Sequence, residues 1–322
     1  MNLSKRRTLS IVLAAVLFPL ASPMVAQSGP ASNDNQSRYT ASSPDNCCSY
    51  EPPPAQGQNP NGVRVYIFAG LKSHGPGEHD YPQFLADWSK FLTLHGAVVD
   101  GSLHAPSAAE LAHTDVVLLY KGDAGFMTSD EHEALLAYVK RGGGLMTIHD
   151  SLCGPDPSDM AMLVGGGKKH GQVNFTLGAP LTYQVVDPES PIMQGVPNGF
   201  TIYDEAFYHM TWATDSKIHA LATVKMPDTP SAEQGGGVGQ VVPQIWTYEH
   251  TLPGGQPARA FVWMQGHIYE NFSNPVIQNM LLRGLAWAAN RPVDELVDYK
   301  PPLNGRGRGR GVAPVQTPMR NE

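Results

Sequence analysis

Apolar and polar positions in the middle of the chain form segments that alternate between strand and helix patterns. Val63–Ala69 is a compact apolar run that predicts a buried strand. From Phe84 onward, apolar residues recur at i+1, i+4, i+7 and i+8, which predicts an amphipathic helix that ends at Gly96. A buried strand followed by such a helix is typical of a layered α/β domain.

The same alternation continues further along the chain. Asp115–Tyr120 predicts a second buried strand, and Leu145–Ile148 predicts a third. Between them, Thr128 and Glu131 form a capping box for a helix that ends at Gly142–Gly144. The strands are therefore separated by helices, as in a parallel sheet.

The later part of the chain is richer in strand patterns. Four strands are predicted, at Thr182–Val186, Ile218–Val224, Gln244–Tyr248 and Arg259–Trp263. Asn274 and Pro275 then begin a last helix, which stops before Pro292. We therefore predict one α/β domain over residues 62–298, with a β-rich second half.

The first residues of the chain have the composition of an export signal. Residues 1–26 combine Lys5, Arg6 and Arg7 with the short apolar run Leu9–Leu20. The run is too short to span a bilayer, so a cleaved signal peptide is expected rather than an anchor. We expect an exported chain, periplasmic or secreted, with no membrane span after cleavage.

Segments of low complexity flank the predicted domain. Residues 27–61 are rich in Ser, Asn, Pro and Gln and predict a disordered spacer, while residues 299–322 predict a disordered Gly/Arg/Pro-rich tail. Three cysteines are too few for a disulfide-framework protein. One of Cys47 and Cys48 could bridge to Cys153 in an oxidising compartment, and a free thiol in a flexible arm is the alternative.

Charge and glycine patterns exclude two classes of partner. The net charge is −7, and removing the three cations of the predicted signal peptide would take it to −10. We therefore expect no binding of nucleic acid. Gly165–Gly167 lacks the order of a P-loop, and Gly235–Gly237 predicts a flexible hairpin, so we expect no nucleotide cofactor.

Histidines and carboxylates follow several of the predicted strands. They lie in the segments Lys72–Asp80, Lys121–Asp123, His149–Ser151, Asp204–Glu205 and Gly266–Glu270. Ligands of open α/β sheets bind beyond the carboxyl ends of the strands, so we expect these segments to share a pocket. Three or more such side chains could hold Zn²⁺ or a similar divalent ion. No pair has the His-Glu-x-x-His spacing, so the ligand set stays open at this point.

A series of motifs extends through the domain from Val63 to about Ala289. It comprises Ser73–Asp80, Gly142–Leu145 before Ile148–His149, Leu163–Gly166 before His170, Asp204–Glu205, Trp246–Glu249, Gly266–His267 and Leu285–Ala288. Together these motifs resemble the ThuA-like, or trehalose-utilisation, family. The resemblance implies a flavodoxin-like, class I glutamine amidotransferase-like three-layer sandwich. It also implies a role in sugar catabolism, on 3-keto sugars made by a partner oxidoreductase.

The amidotransferase superfamily places a nucleophilic cysteine on the turn after a central strand. The corresponding place in this chain holds His149, Asp150 and Ser151, and Cys153 lies beyond the turn. We therefore do not expect glutamine hydrolysis by a Cys-His-Glu triad.

The resemblance and the polar residues lead us to predict proton abstraction next to the carbonyl of an oxidised carbohydrate. Isomerisation, epimerisation and β-elimination share this step. Glu205 is the expected general base, Asp150 an orienting or second acid/base carboxylate, and His267 a further catalytic residue or metal ligand. The residues expected to hold a divalent metal are His74, His79 and His149. The residues expected to bind the sugar are Lys72, Asp123, His170, Asp204 and Glu270.

Two other functions stay open. A non-catalytic carbohydrate-binding protein could use Trp212, Trp246 and Trp263 as stacking faces, although such tryptophans also fill cores. A metal-dependent hydrolase of unmodified esters or glycosides would use the same polar pocket. In each case the expected partner is a small-molecule carbohydrate.

Overall fold

The computed structural model describes residues 59–215 and 217–300. The strands are β1 (Arg64–Ala69), β2 (Val98–Ser102), β3 (Val116–Tyr120), β4 (Gly144–Ile148), β5 (Cys153–Gly154), β6 (Gly166–Lys169), β7 (Ala179–Val185), β8 (Thr201–Asp204), β9 (Thr211–Trp212), β10 (Ile218–Lys225), β11 (Val241–Thr251) and β12 (Pro257–Trp263). The helices are α1 (Tyr81–Leu94), α2 (Ala108–Leu111), α3 (Ser129–Lys140), α4 (Pro157–Val164), α5 (Pro230–Gly235) and α6 (Pro275–Ala288). The predicted signal peptide, nearly all of the predicted spacer and tail, and Cys47 and Cys48 lie outside the described residues.

A nine-stranded sheet in the order β2-β1-β3-β4-β12-β11-β10-β7-β8 organises the fold. The strands from β2 to β12 in this order run parallel, and those from β12 to β8 pair antiparallel. The parallel half has the strand order of flavodoxin-like sheets, in which the first strand lies between the second and the third. The predicted α/β class with a β-rich second half is confirmed.

Successive side chains of the central strands point into two separate cores. In β1, Val65 and Ile67 belong to one core, whereas Tyr66 and Phe68 belong to the other. Helices α1 and α6 cover the first core, and α2, α3 and α4 cover the second. The domain is therefore the predicted three-layer sandwich. None of the helices in the described part of the chain has both the length and the apolar character needed to cross a membrane.

Helix ends follow the sequence signals closely. Thr128 caps α3 in a capping box with Glu131, and the Asn274 side chain accepts a hydrogen bond from the Val276 amide at the start of α6. The structure adds β2, β8 and a small sheet of β5, β6 and β9, which the sequence analysis missed. These strands are short or polar, so they lack the apolar run by which the others were predicted.

The predicted connection at Gly235–Gly237 lies between β10 and β11, which pair antiparallel as in a hairpin, but this connection includes a helix. Helix α5 begins after its N-cap Thr229 and ends at Gly236, where φ is 70°. Glycine adopts this left-handed conformation without a Cβ penalty, so Gly236 ends α5 within the connection between β10 and β11. Gly165 ends α4 in the same way, with φ at 87°.

The parallel pairing brings the carboxyl ends of β1, β3, β4 and β12 to one edge of the sheet. Strand β8 reaches the same edge from the antiparallel half. Its last residue, Asp204, accepts hydrogen bonds from the amides of Gly266 at 3.1 Å and His267 at 3.0 Å. The polar segments that follow these strands are therefore gathered at one place.

Phe84 provides a test of the first core. Its side chain has no exposed surface and packs against Trp88, Tyr120 and Phe272. Phe84→Ala should lower the free energy of unfolding by about 3–5 kcal/mol, because it removes a buried ring and leaves a cavity. Phe126→Ala is the control, since Phe126 is 51% exposed and its loss should cost less than about 0.5 kcal/mol. Urea unfolding of both variants measures the difference; equal midpoints would contradict this packing.

Candidate metal centre

Sharp backbone turns follow the strands at the polar edge. His79, Asp123 and His149 have positive φ angles of 47°, 53° and 56°. Such conformations are strained for residues other than glycine and persist only where the surrounding structure enforces them. His149 follows β4 directly, so it occupies the turn after a central strand of the sheet.

Four side chains converge at this edge, and we refer to His79, His149, Glu205 and His267 as the four-residue centre. Each offers one nitrogen or oxygen atom, and these atoms all lie within 4.8 Å of one another. His79 Nε2 is 2.9 Å from both His149 Nε2 and His267 Nδ1. Glu205 Oε2 is 3.1 Å from His267 Nδ1 and 3.6 Å from His149 Nε2. All four residues are buried.

In two of these rings, the nitrogen that does not face the centre makes a hydrogen bond. His149 Nδ1 is 3.2 Å from the Met264 carbonyl oxygen, which can only accept, so Nδ1 carries the proton. Neutral His149 therefore presents a lone pair at Nε2 to the centre. His79 Nδ1 lies 3.0 Å from Ser73 Oγ. Outer-nitrogen contacts of this kind orient metal-binding histidines.

The surroundings keep these imidazoles from becoming charged. Burial lowers the pKa of His79 to about 2, and the neighbouring His267 adds to the effect. Burial, with His79 as neighbour, also holds the pKa of His149 well below its usual value. Neutral imidazole is the form that binds a metal ion.

His267 is influenced in the opposite direction by a carboxylate. Burial by itself would lower the pKa of His267, but the hydrogen bond and negative charge of Glu205 raise it above the ordinary value. Three imidazoles and one carboxylate form a donor set that suits Zn²⁺ and related divalent ions. The chemistry of the four-residue centre thus fits such an ion. The centre brings together three histidines that were considered as metal ligands, but it omits His74 and includes Glu205, which was predicted as the general base.

Asp204 lies beneath the four-residue centre and has no exposed surface. It accepts hydrogen bonds from the amides of Glu205 and His267 and from the Asn271 side chain. Burial raises the pKa of Asp204 to about 6, against the lowering effect of these donors. Asp204, predicted to bind substrate, therefore makes its contacts within the protein, where it positions Glu205 and His267.

Asp150 and Lys168 form a largely buried ion pair next to the centre. Lys168 Nζ is 2.8 Å from Asp150 Oδ1 and lies 3.9 Å from the centroid of the Phe207 ring. Burial raises the pKa of Asp150, despite the lowering effect of Lys168. The sequence analysis missed Lys168, because a lysine in a glycine-rich segment resembles a solvated residue. Its place two residues before His170, which was predicted to bind substrate, is the signal that could have drawn attention to it.

Three other predicted residues lie at the periphery of the centre. Lys72 is exposed, pairs with Asp80 at 3.0 Å and donates to carbonyl groups of the Ser73–Glu78 loop. His74 is exposed, with its ring 4.1 Å from that of His79. Glu270 is exposed on a short 3-10 helix. The contacts of Lys72 indicate that it holds the loop carrying His79.

Asp123 and His170, both predicted to bind substrate, are brought together with Cys153. His170 Nδ1 lies 2.9 Å from Asp123 Oδ1. The ligand atoms of Asp123, Cys153 and His170 all lie within 4.8 Å of one another. Cys153 is a free, buried thiol, and burial raises its pKa, so it is protonated in the neutral range.

Two of the three tryptophans considered as sugar-stacking faces belong to the cores. Trp246 and Trp263 have no exposed surface. Their indole nitrogens donate to the Val164 carbonyl at 2.8 Å and to the Tyr183 hydroxyl at 3.0 Å. Trp212 is only partly buried, but its ring packs edge-on against Trp246. Trp246 and Trp263 therefore offer no surface on which a sugar could stack, so they do not favour a carbohydrate-binding protein.

Comparisons with known proteins agree with this architecture. A ThuA-like protein from Bacteroides uniformis has a similar structure, with a TM-score of 0.51 and 18% identity over 70% of this chain and 91% of its own. A ThuA-like protein from Parabacteroides merdae gives 0.50 and 19%, over 71% and 90%. At these identities the structural similarity concerns the fold alone. A comparison with curated proteins finds no significant match.

The model of one protein family matches residues 64–288, more than half of the chain. This region contains every strand of the sheet and all four residues of the centre. The chain belongs to the ThuA family, described as trehalose utilisation.

Proposed function

We propose that the chain is an enzyme of carbohydrate breakdown that removes a proton next to the carbonyl of an oxidised, 3-keto sugar or glycoside. His79, His149, His267 and Glu205 would hold a divalent ion, which would supply Lewis-acid assistance to this reaction. Membership of a trehalose-utilisation family supports the carbohydrate substrate. The reaction itself is supported by the chemistry of the four-residue centre.

The observation that carries the proposal is the convergence of four buried donor atoms within 4.8 Å. His149 Nε2 presents a lone pair there because its Nδ1 donates to the Met264 carbonyl. His79 Nε2 lies 2.9 Å from both His149 Nε2 and His267 Nδ1, so imidazole nitrogens that could bind a cation are gathered in one place. A divalent ion in this place would polarise a substrate carbonyl as a Lewis acid.

Asp150 is the residue that we assign to accept the substrate proton. Glu205 Oε2 lies 3.1 Å from His267 Nδ1, among the histidines. This position suits a metal ligand better than the general base that Glu205 was predicted to be. Asp150 follows His149 directly, and burial raises its pKa toward the range in which a carboxylate is an effective base. Lys168, 2.8 Å away, holds this carboxylate in place.

The wider setting follows from the sequence expectations. The predicted signal peptide would bring the enzyme to the periplasm or outside the cell. Because a 3-keto sugar must first be formed by oxidation of a sugar hydroxyl, a sugar oxidoreductase would supply the substrate.

Metal content tests the proposed centre. The chain, purified without chelators, should carry a divalent ion, and His149→Ala should hold about one ion per chain less, because the variant removes a ligand. His219→Ala is the matched control, since His219 is exposed and pairs with Asp187 on the antiparallel half. Elemental analysis measures all three proteins. Equal metal content in His149→Ala and the parent would exclude the centre.

Turnover of a 3-keto glycoside separates the roles of the two carboxylates. Asp150→Asn should lower kcat by at least about a hundredfold while metal content stays unchanged, because it removes the proton acceptor. Glu205→Gln should lose both metal and turnover. Asp187→Asn, at a partly exposed carboxylate that pairs with His219, is the control.

Full activity of Asp150→Asn would contradict its assignment as the base. Loss of turnover in Glu205→Gln with metal retained would instead make Glu205 the base, as the sequence analysis expected. Equal turnover of glycosides without a keto group would point to a hydrolase, and binding without turnover would point to a carbohydrate-binding protein.

A further inference from the structure

A second group of metal-type donors lies apart from the four-residue centre. Asp123, Cys153 and His170 bring a carboxylate oxygen, a thiol sulfur and an imidazole nitrogen within 4.8 Å of one another. The proton transfer proposed above uses none of these side chains. The combination of one sulfur, one nitrogen and one oxygen donor is therefore unassigned.

Backbone hydrogen bonds fix the three segments that carry these donors. The Gly125 amide donates to the Cys153 carbonyl at 2.9 Å, and the His170 amide donates to the Gly154 carbonyl at 2.9 Å. The Asp123 amide donates to the Asp150 carbonyl at 3.2 Å. The positions of the donors are thus set by the main chain before any side chain makes a contact.

Two glycines allow these segments to approach so closely. A Cβ atom at Gly125 would lie 2.7 Å from the Gly154 Cα atom, and one at Gly154 would lie 2.9 Å from the Gly125 Cα atom. Both distances are too short for real side chains, so each position requires glycine. Asp123 also holds a left-handed turn with φ at 53°, a conformation that is strained for residues other than glycine.

The group is open on one side and closed on the other. The His170 and Asp123 side chains are 53% and 34% exposed, so an ion can enter from solvent. Cys153 lies at the closed end and is buried. A set of three protein ligands leaves one position of a tetrahedral ion free.

We propose that Asp123, Cys153 and His170 form a second metal site, which binds a zinc-type divalent ion through sulfur, nitrogen and oxygen. Thiolate sulfur selects softer ions such as Zn²⁺ over Mg²⁺ or Ca²⁺. Binding replaces the proton of the Cys153 thiol, which leaves to solvent, and the ion takes its place. The site does not depend on the reaction proposed above, because it shares no ligand with the four-residue centre.

Cobalt(II) is the probe for this site. Cobalt bound by a thiolate absorbs in the near ultraviolet through charge transfer, whereas cobalt bound by nitrogen and oxygen alone lacks this band. The experiment uses the full chain with Cys47 and Cys48 replaced by serine, which leaves Cys153 as its one thiol. The band should reach the intensity of one thiolate-bound cobalt per chain, apart from any cobalt that the four-residue centre takes up, and it should disappear in Cys153→Ser.

Further variants assign the band to this group of residues. His170→Ala should weaken the cobalt affinity that the band reports, and because His170 is half exposed, this variant tests the site even if Cys153→Ser fails to fold. His219→Ala, at another exposed histidine paired with a carboxylate, should leave the band unchanged. His149→Ala should also keep the band, whether or not the four-residue centre binds metal. Absence of the band in the parent, or its persistence in Cys153→Ser, would overturn the proposal.

Discussion

The burial of three imidazole rings around one carboxylate is the constraint on which the rest of the polar edge depends. Most buried polar groups have a hydrogen-bond partner, and a neutral ring that directs a lone pair inward carries its proton on the other nitrogen. His149 meets this demand through the Met264 carbonyl, and His79 places its outer nitrogen beside Ser73. These partners lie at the ends of β12 and β1, so the centre can form only where the parallel strands end together. Its electrostatics follow from the same burial, which keeps His79 and His149 neutral.

The loop after β12 shows how the backbone supports this arrangement. Gly266 has a φ of 123°, and a Cβ atom there would lie 2.9 Å from Ile148 Cγ2, so the position requires glycine. This conformation lets the amides of Gly266 and His267 both donate to Asp204. Asp204 thereby joins β8, from the antiparallel half of the sheet, to the end of β12. The buried Asp204 carboxylate also accepts a hydrogen bond from the Glu205 amide and so positions Glu205.

Family membership and local chemistry lead to different conclusions about the turn after β4. The resemblance to amidotransferase-like folds led us to expect a nucleophile near this turn, but the turn carries His149 with a φ of 56°. Cys153, a few residues later, is buried against Asp123 and faces a different group. The strained turn is kept while the residue on it offers a metal ligand instead of a thiol. A scaffold of this kind can therefore present a metal-type donor at a turn where the resemblance led us to expect a thiol.

The sequence by itself determined the strands and helices with strong apolar patterns, their caps, and the placement of histidines and carboxylates at strand ends. These features depend on residues close together in the chain. Only the tertiary structure decided which polar residues meet, because convergence depends on strand order and register. Thus His79 joins the centre and nearby His74 does not, while Glu205 faces the histidines and its neighbour Asp204 is buried beneath them. Lys168 looked solvated in the sequence, yet pairing of its short strand with β5 buries it against Asp150 and Phe207.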